Sequence, residues 1–462
     1  AAHFQALGQT AARFASMKSA LDEASMIDID TTTYGAMVDR LVSAAADEAA
    51  RAEALVYRLR MMEQAGDHTG ILHLSDEVMQ LARTAEQPYT EAMALCARAG
   101  AIYALGRLPE AAAMYEQIGA FGVRTGNVEL EGFGCSSRAT ILLRLCRHAE
   151  ALASFERARQ LYEASGMTAR LVLVDQQMSI VHSTRGFAAL GLAAAERALR
   201  GAVRIDSAIE VMGNCVLAQS LALRALGRYA EALSAVERLL PKLLEANSYF
   251  HARLQLEYAQ MYIDLGRTDL AQRLATQVRQ GGRLPPGEEP RLVGVELQLR
   301  LSAGTEHALA LATDAAVEGR RRCELLRLLA RTAAGPHVLL DQALRTATES
   351  DLPHERATAR ALLARELARG GQPGAAAELM RTALADEAIV PAGYPPAVAE
   401  CTVEVFTASG DAVLAQGALA QAVAWIERAA QGLSAELRSS FLERNEVNRR
   451  LLAMSRRTLS RL

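Results

Sequence analysis

The sequence predicts an all-α fold, a right-handed superhelix (α-solenoid) of about nine or ten helical hairpins. Three observations carry this. About a fifth of the 462 residues are Ala and only 12 are Pro, so strong helix formers dominate. Aromatics make up 5%, fewer, together with Val, Ile and Thr, than a β-sandwich or barrel needs. The third observation is an internal repeat of about 40 residues, one turn per period, which leaves room for two helices of roughly 15–18 residues in each unit.

Charge and cysteines bound the function. Lys+Arg total 50 against 53 Asp+Glu, a net charge of −3 that implies no strong field. Only Lys18 and Lys242 are lysines. Lys18 follows Met17 and Lys242 follows Pro241, so the Gly-Lys-Ser/Thr phosphate cradle of P-loop enzymes is excluded, as is the lysine motif of kinases. Cys96, Cys135, Cys146, Cys215, Cys323 and Cys401 never stand at C-x-x-C spacing, which argues against a zinc ribbon or a disulfide framework and fits a cytoplasmic setting. No apolar run approaches the ~20 residues of a membrane span. The opening Ala1-Ala2-His3-Phe4 resembles no signal peptide and reads as a piece of a longer polypeptide.

In chain order, residues 1–55 show apolar periodicity without a turn in register, and are expected to form a helical cap or the remnant of an adjoining domain. The array follows over 56–430. Ala104-Leu105-Gly106-Arg107-Leu108-Pro109-Glu110-Ala111 reappears as Ala225-Leu226-Gly227-Arg228-Tyr229-Ala230-Glu231-Ala232 and as Asp264-Leu265-Gly266-Arg267-Thr268-Asp269-Leu270-Ala271. In each, Gly supplies a left-handed helix end and an acidic residue faces the next helix N-terminus. The turn positions are Gly66, Gly106, Cys146, Gly186, Gly227, Gly266 and Gly304, with successive differences of 40, 40, 40, 41, 39 and 38. Gly371 and Gly410 continue the series past a degenerate unit around Gly335. Cys146 is a small residue in place of Gly.

Seven residues before the turn stand Ala99, Ala139, Ser179, Ser220, Ala259 and Ala364, and five after it Ala111, Ala151, Gly191, Ala232, Ala271 and Ala376. Four further on come large side chains such as Tyr115, Phe155, Val236 and Met380. Small against large at fixed offsets is what the packing of helical pairs requires. Ala151-x3-Phe155-x2-Ala158 resembles the second helix of the tetratricopeptide repeat (TPR). The period is nearer 40 than 34, and the Trp of the first helix and a regular closing Pro are missing. Longer repeats of this kind are similar to the sensor arrays of bacterial signal-transduction ATPases with numerous domains (STAND), including the maltotriose-responsive activator. The stretches from Gly281 to Pro290 and from Pro391 to Pro396 break the helical pattern and read as loops.

Residues 431–462 are expected to be C-terminal capping helices. Leu437 to Arg444 and Asn448 to Leu452 resemble the closing helix of such regulators, with a solvated Arg face.

No catalytic or metal-ligating constellation is legible. Asp67, His68 and His73 cluster but read as a polar hairpin turn, and no cofactor is expected. Arg320, Arg321, Arg322, Arg327 and Arg331 form the densest basic run and read as a solvated helical face, so nucleic acid is not expected to bind this chain directly. In a TPR array the concave surface is lined by the first helix of each hairpin. Its positions, carried over residue by residue, give Ser136, Thr140, Arg144, Gln176, Ser183, Arg224, Gln260 and Asp264 as ligand- or partner-binding residues. Asn214 and Gln255 stand near the apolar Leu217 and Leu256 that occupy the equivalent places. Hydroxyls, amides and two Arg suit a protein partner, a peptide or a small polar ligand.

The resemblance therefore implies a non-catalytic sensing or protein-interaction domain of a larger bacterial STAND-type regulator, with self-association open through that parent. A stand-alone TPR adaptor and a peptide-pheromone receptor are the alternatives. Circular dichroism is expected to show helix without strand; a substantial β signal would remove the hairpin array.

Overall fold

The computed structural model describes residues 11–21, 31–246, 248, 250–281, 284, 287–300, 305–389 and 394–459. Gly304, residues 282, 283, 285 and 286 of the first break and residues 391–393 of the second therefore lie outside the described residues. Every regular element among the described residues is a helix. Ten consecutive hairpins run from Glu48–Ala65 with His68–Thr84 to Pro395–Ser409 with Ala412–Ala429. Helices over 11–21 and Thr31–Ala44 precede them, and Ala435–Glu443 and Glu446–Leu459 follow. The chain forms two compact units, Ala1–Leu145 with Ala149–Gly166, and Cys146–His148 with Met167–Leu462.

The turns form where the repeat demands a left-handed residue. Gly66, Gly106, Gly186, Gly227, Gly266, Gly371 and Gly410 have φ between 72° and 91°, and Cys146 takes the same conformation at 58°. At Gly106 the backbone N–H donates to Tyr103 O at 3.0 Å and the next N–H, of Arg107, to Ile102 O at 3.2 Å. This pairing satisfies carbonyls that the helix end would otherwise orphan. A second set of reversals sits half a period away, at Glu86, Gly126, Gly166 and Asp206, with φ of 52°, 65°, 67° and 48°. Two of these are not glycine, which is why composition alone does not mark them.

Turns at fixed intervals bring the small residues into register. Ala99, Ala139, Ser179, Ser220, Ala259 and Ala364 are all 0% exposed. So are Ala111, Ala151, Ala232, Ala271 and Ala376 on the facing helices, with Phe155, Val236 and Met380 filling the grooves. Helix backbones can approach closely only where side chains end at Cβ or Oγ, so a TPR-like stack follows from the register.

In the second unit the last helices return to the hairpins around residues 209–280. The Tyr229 and Phe441 rings lie 5.6 Å apart. Asn445 Nδ2 donates to the Asp264 carbonyl at 2.8 Å, while Asn445 Oδ1 accepts from Asn448 N at 3.1 Å as the cap of the final helix. Tyr394 OH donates to Asn448 Oδ1 at 2.7 Å, and Arg267 pairs with Glu436. Apolar burial joins both ends of this contact, since Leu243, Leu265, Phe441 and Leu451 belong to one core cluster.

Two glycines at the same repeat position test this closure. A Cβ on Gly106 would meet nothing within 4 Å, whereas one on Gly266 would lie 2.8 Å from Asn445 N and 2.9 Å from Ser440 O. Gly106→Ala should therefore cost only the left-handed penalty, about 1–2 kcal/mol. Gly266→Ala should cost a further ~1–3 kcal/mol and speed amide exchange across 435–459, read by denaturant unfolding and hydrogen exchange. Equal costs with unchanged exchange would contradict the close approach.

Candidate functional site

The first helices of the hairpins in the second unit turn a charged face inward. On Gly319–Ala330, Arg320, Glu324, Arg327 and the C-cap Arg331 follow at i, i+4, i+7 and i+11, one helical face. Pro353–Arg369 places Glu355, Thr358, Leu362, Arg365 and Arg369 in the same way. With the returning C-terminal residues Arg444 and Arg450 they line a cavity of about 1590 Å³. Drug-sized pockets span ~300–1,000 Å³, so this one has room for a short peptide. Its walls hold eleven Arg against eight Asp and Glu, a surplus of three positive charges in a chain whose total is −3.

Most of these charges are paired. The Glu257 side chain, 1% exposed, accepts from Arg224 Nε at 2.8 Å and from Arg291 Nη2. Arg224 also reaches Asp264 at 3.0 Å, and Asp264 accepts from Tyr229 OH at 3.3 Å and Gln260 Nε2 at 3.2 Å. Burial opposes the charge on Arg224, but Glu257 and Asp264 more than offset it and raise its pKa. Burial lifts the Asp264 carboxyl above its ordinary value despite Arg224. Arg291 falls to about 10, because burial and then Arg321 and Arg224 outweigh Glu257 and Glu288. Glu355 goes the other way. Burial opposes its ionisation, yet Arg327 at 2.8 Å and then His354 hold its carboxyl down at about 2.

Four guanidinium groups of the wall, those of Arg300, Arg320, Arg331 and Arg444, have no carboxylate partner among the described residues. At Arg320 and Arg331, desolvation followed by like charge (Arg321 beside the first; Arg327 and Arg365 beside the second) pushes both pKa values down. An Arg so placed stays protonated at neutral pH, so its cost is relieved by an anion rather than by losing a proton.

Of the ten residues expected on the concave face, Ser183, Arg224, Gln260 and Asp264 line this cavity together. Gln176 and Gln255 are buried beside it; Gln255 Nε2 donates to Gln277 Oε1 at 3.3 Å, while Gln176 Nε2 makes no hydrogen bond. Asn214 is half-buried with Oδ1 unpaired. Ser136, Thr140 and Arg144 belong to the first unit. There the two hydroxyls donate to the carbonyls of Phe133 and Ser136, and Arg144 lies 5.3 Å from the Tyr103 ring centroid.

The same offsets, extended to the turns at Gly304, Gly371 and Gly410, lead to Gln298, Arg365, Glu400 and Glu404, all in the cavity wall. The Arg run around 320 differs from its expected solvated face. Gly319 packs so tightly on Ser350 that a Cβ would lie 2.1 Å from its Oγ, and this turns Arg320 and Arg321 inward while Arg322 Nε donates to Ala312 O at 3.3 Å. On the C-terminal helix Arg449 and Arg450 are exposed, as the expected solvated face requires, although Arg450 Nε also bonds Glu400 at 2.5 Å in the cavity wall.

Among the described residues no three His, Cys, Asp or Glu side chains are placed to hold a metal ion, and no helix is long and apolar enough to cross a membrane.

No family model matches the chain, and no curated protein sequence does either. Solved structures similar to it include a Rap protein complexed with competence and sporulation factor (12% identity, 89% of this chain and 99% of that one, TM-score 0.38). Yeast Tom70 is similar at 13% identity, with 96% of each chain covered and a TM-score of 0.31. The TPR domain of P58(IPK) is similar at 12%, covering 86% of this chain and 99% of that one, with a TM-score of 0.24. Likeness at these scores bears on no residue of the cavity.

Glu355 supplies a pH test. Its depressed folded pKa means that its contribution is complete above the ordinary glutamate pKa near 4.5 and is lost as pH falls toward about 2. The stability gap between the native chain and Glu355→Gln should be on the order of 3 kcal/mol at pH 7 and should close between pH 5 and pH 2, followed by urea unfolding. A gap independent of pH would show that Arg327 does not hold this carboxylate.

Proposed function

We propose that the chain is a non-catalytic, TPR-like binding module that takes an anionic ligand into the cavity of its second unit. The observation that carries this reading is the set of arginines without a carboxylate, Arg300, Arg320, Arg331 and Arg444, in a wall that holds eleven Arg against eight Asp and Glu. Arg320 is half-buried and Arg331 exposed, and a bound carboxylate or phosphate would give such guanidinium groups charge-assisted hydrogen bonds in place of water. The wall offers no nucleophile–base pair, so binding rather than turnover is the activity proposed. A peptide, a protein segment or a small polar molecule are the partners that suit such a wall.

The wider context we propose is the sensing part of a larger, bacterial STAND-type regulator in the cytoplasm, with 56–430 as the array and 1–55 and 431–462 as its flanking elements. The repeat length and the C-terminal helix resemblance support it. Among the alternatives, a peptide receptor is favoured over an open adaptor by one feature: the C-terminal helices return to hairpins of the second unit and help to line its cavity.

Thermal unfolding with deca-glutamate and with deca-lysine tests the reading. Deca-glutamate should raise the Tm, by about 2.7 kcal/mol of added stability at a hundred times Kd, with the effect fading as salt screens the charges. Deca-lysine should not. No shift with deca-glutamate, or equal shifts with both, would remove the anion-binding cavity.

A further inference from the structure

We infer that the cavity of the second unit contains an apolar subsite on Phe187, Leu190 and Leu226, and that its ligand carries an apolar group beside a carboxylate. An acyl or aryl carboxylate and the apolar C-terminal residue of a peptide share this chemistry. The inference rests on the anion-binding reading above and names the kind of anion.

The repeat itself marks the place. At four turns of the series the residue after the turn is an arginine, Arg107, Arg147, Arg228 or Arg267, and an acid opens the helix that follows, Glu110, Glu150, Glu231 or Asp269. Arg107–Glu110 and Arg228–Glu231 are ion pairs at 2.6 Å, and Arg267–Asp269 is one at 2.9 Å. The turn at Gly186 reads Gly-Phe-Ala-Ala-Leu instead, so Phe187 stands in the place of the arginine and Leu190 in that of the glutamate. Helix Ala188–Arg204 therefore begins without an acid in its first turn and forgoes a favourable charge there. The exchange also leaves Leu190 55% exposed.

This turn opens into the cavity, where Phe187 and Leu190 share the wall with Leu221 and Leu226 of the next first helix. Leu226 is 36% exposed. Arg224 is the one charged residue that these two stretches bring to the wall, and Glu257 and Asp264 already hold its fork. The arginines without a carboxylate all lie on other elements. Arg185 holds the apolar stretch against them: its guanidinium carbon lies 5.2 Å from the Phe187 ring centroid, and its Nη2 lies 3.0 Å from Asp351 Oδ2. Asp351 follows Ser350, the residue on which Gly319 packs at the head of the Arg-rich helix. An apolar group over Leu190 and Leu226 takes their surface out of water, while a carboxylate beside it meets the positive surplus of the wall. A wholly polar anion leaves the leucines wet, and an alkyl cation meets charge of its own sign.

Calorimetry on the full chain tests it with straight-chain carboxylates from butanoate to octanoate, kept below micelle formation, and with octylammonium. Each added methylene should tighten binding ~3–4-fold, and octylammonium should bind ~10–100-fold more weakly than octanoate. Leu190→Gln and Leu226→Gln should flatten the dependence on chain length, whereas Leu309→Gln, at an exposed leucine outside the cavity, should keep it. Both cavity leucines are open to solvent without ligand, so their variants should melt within about 2 °C of the native chain. N-acetyl-Gly-Gly-Phe with a free carboxylate separates the two sources: tighter binding than octanoate assigns the subsite to a peptide C-terminus, and weaker binding assigns it to an acyl carboxylate. Undetectable binding, affinity independent of chain length, a length dependence unchanged in both cavity variants, or octylammonium binding as tightly as octanoate would overturn the apolar subsite. If deca-glutamate still stabilises the chain in that case, the cavity stands as an anion site and only its apolar selectivity falls. If deca-glutamate fails as well, the wider reading falls with it.

Discussion

A stack of helical hairpins depends on the backbone reversing twice in every forty residues at fixed points. Left-handed residues accomplish this at Gly66, Gly106, Cys146, Gly186, Gly227, Gly266, Gly371 and Gly410 after first helices, and at Glu86, Gly126, Gly166 and Asp206 after second ones, while the turn over 331–335 uses none. Because each reversal closes its own carbonyl bonds, neighbouring helices end at matching heights. Ala139 and Ala151, and likewise Ala259 and Ala271, are then fully buried on consecutive helices. In the second unit the same regularity turns one face of the first helices toward the cavity, so residues far apart in sequence share one wall. A single slipped turn would rotate that face by ~100° per residue and dissolve the wall.

How much of this is legible in the sequence depends on how local the signal is. Gly-Arg-x-x-Glu/Asp turns and small residues at fixed offsets are local, and they lead directly to the hairpins and to Arg224, Gln260 and Asp264. The turns at Glu86 and Asp206 carry no glycine and are silent. The degenerate unit between Gly304 and Gly371 hides the helix that bears Arg320 and Arg331, since a run of arginines looks the same whether it meets water or a cavity. Least legible is the closure: Asn445 and Asp264 are 181 residues apart, and nothing in either local sequence announces the other.

The near absence of lysine acquires a physical meaning in this wall. Arg224 divides its fork between Glu257 and Asp264, and outside the wall Arg279 does the same between Glu289 and Glu296. A planar guanidinium can bond two carboxylates in fixed directions, whereas an ammonium is a compact point charge on a flexible stem. Buried ion pairs hold only when their geometry and remaining hydrogen bonds are good. A cavity with this density of charge is therefore a place where Arg and Lys are not interchangeable. The net charge of the chain says nothing of it, because eleven arginines and eight carboxylates on one interior surface are diluted by the exterior.

The return of the C-terminal helices also bears on how such a chain can change over generations. An open solenoid gains or loses a repeat freely, since each unit contacts only its neighbours. Here the Asn445 amide must find the Asp264 carbonyl, and Phe441 must find Tyr229, after an intervening set of hairpins of defined number. Duplicating or deleting one forty-residue unit between them would carry the final helix past its seat. Descent within this unit is thus confined to substitution, and its ligand preference can drift only by exchanging side chains on a wall of constant circumference.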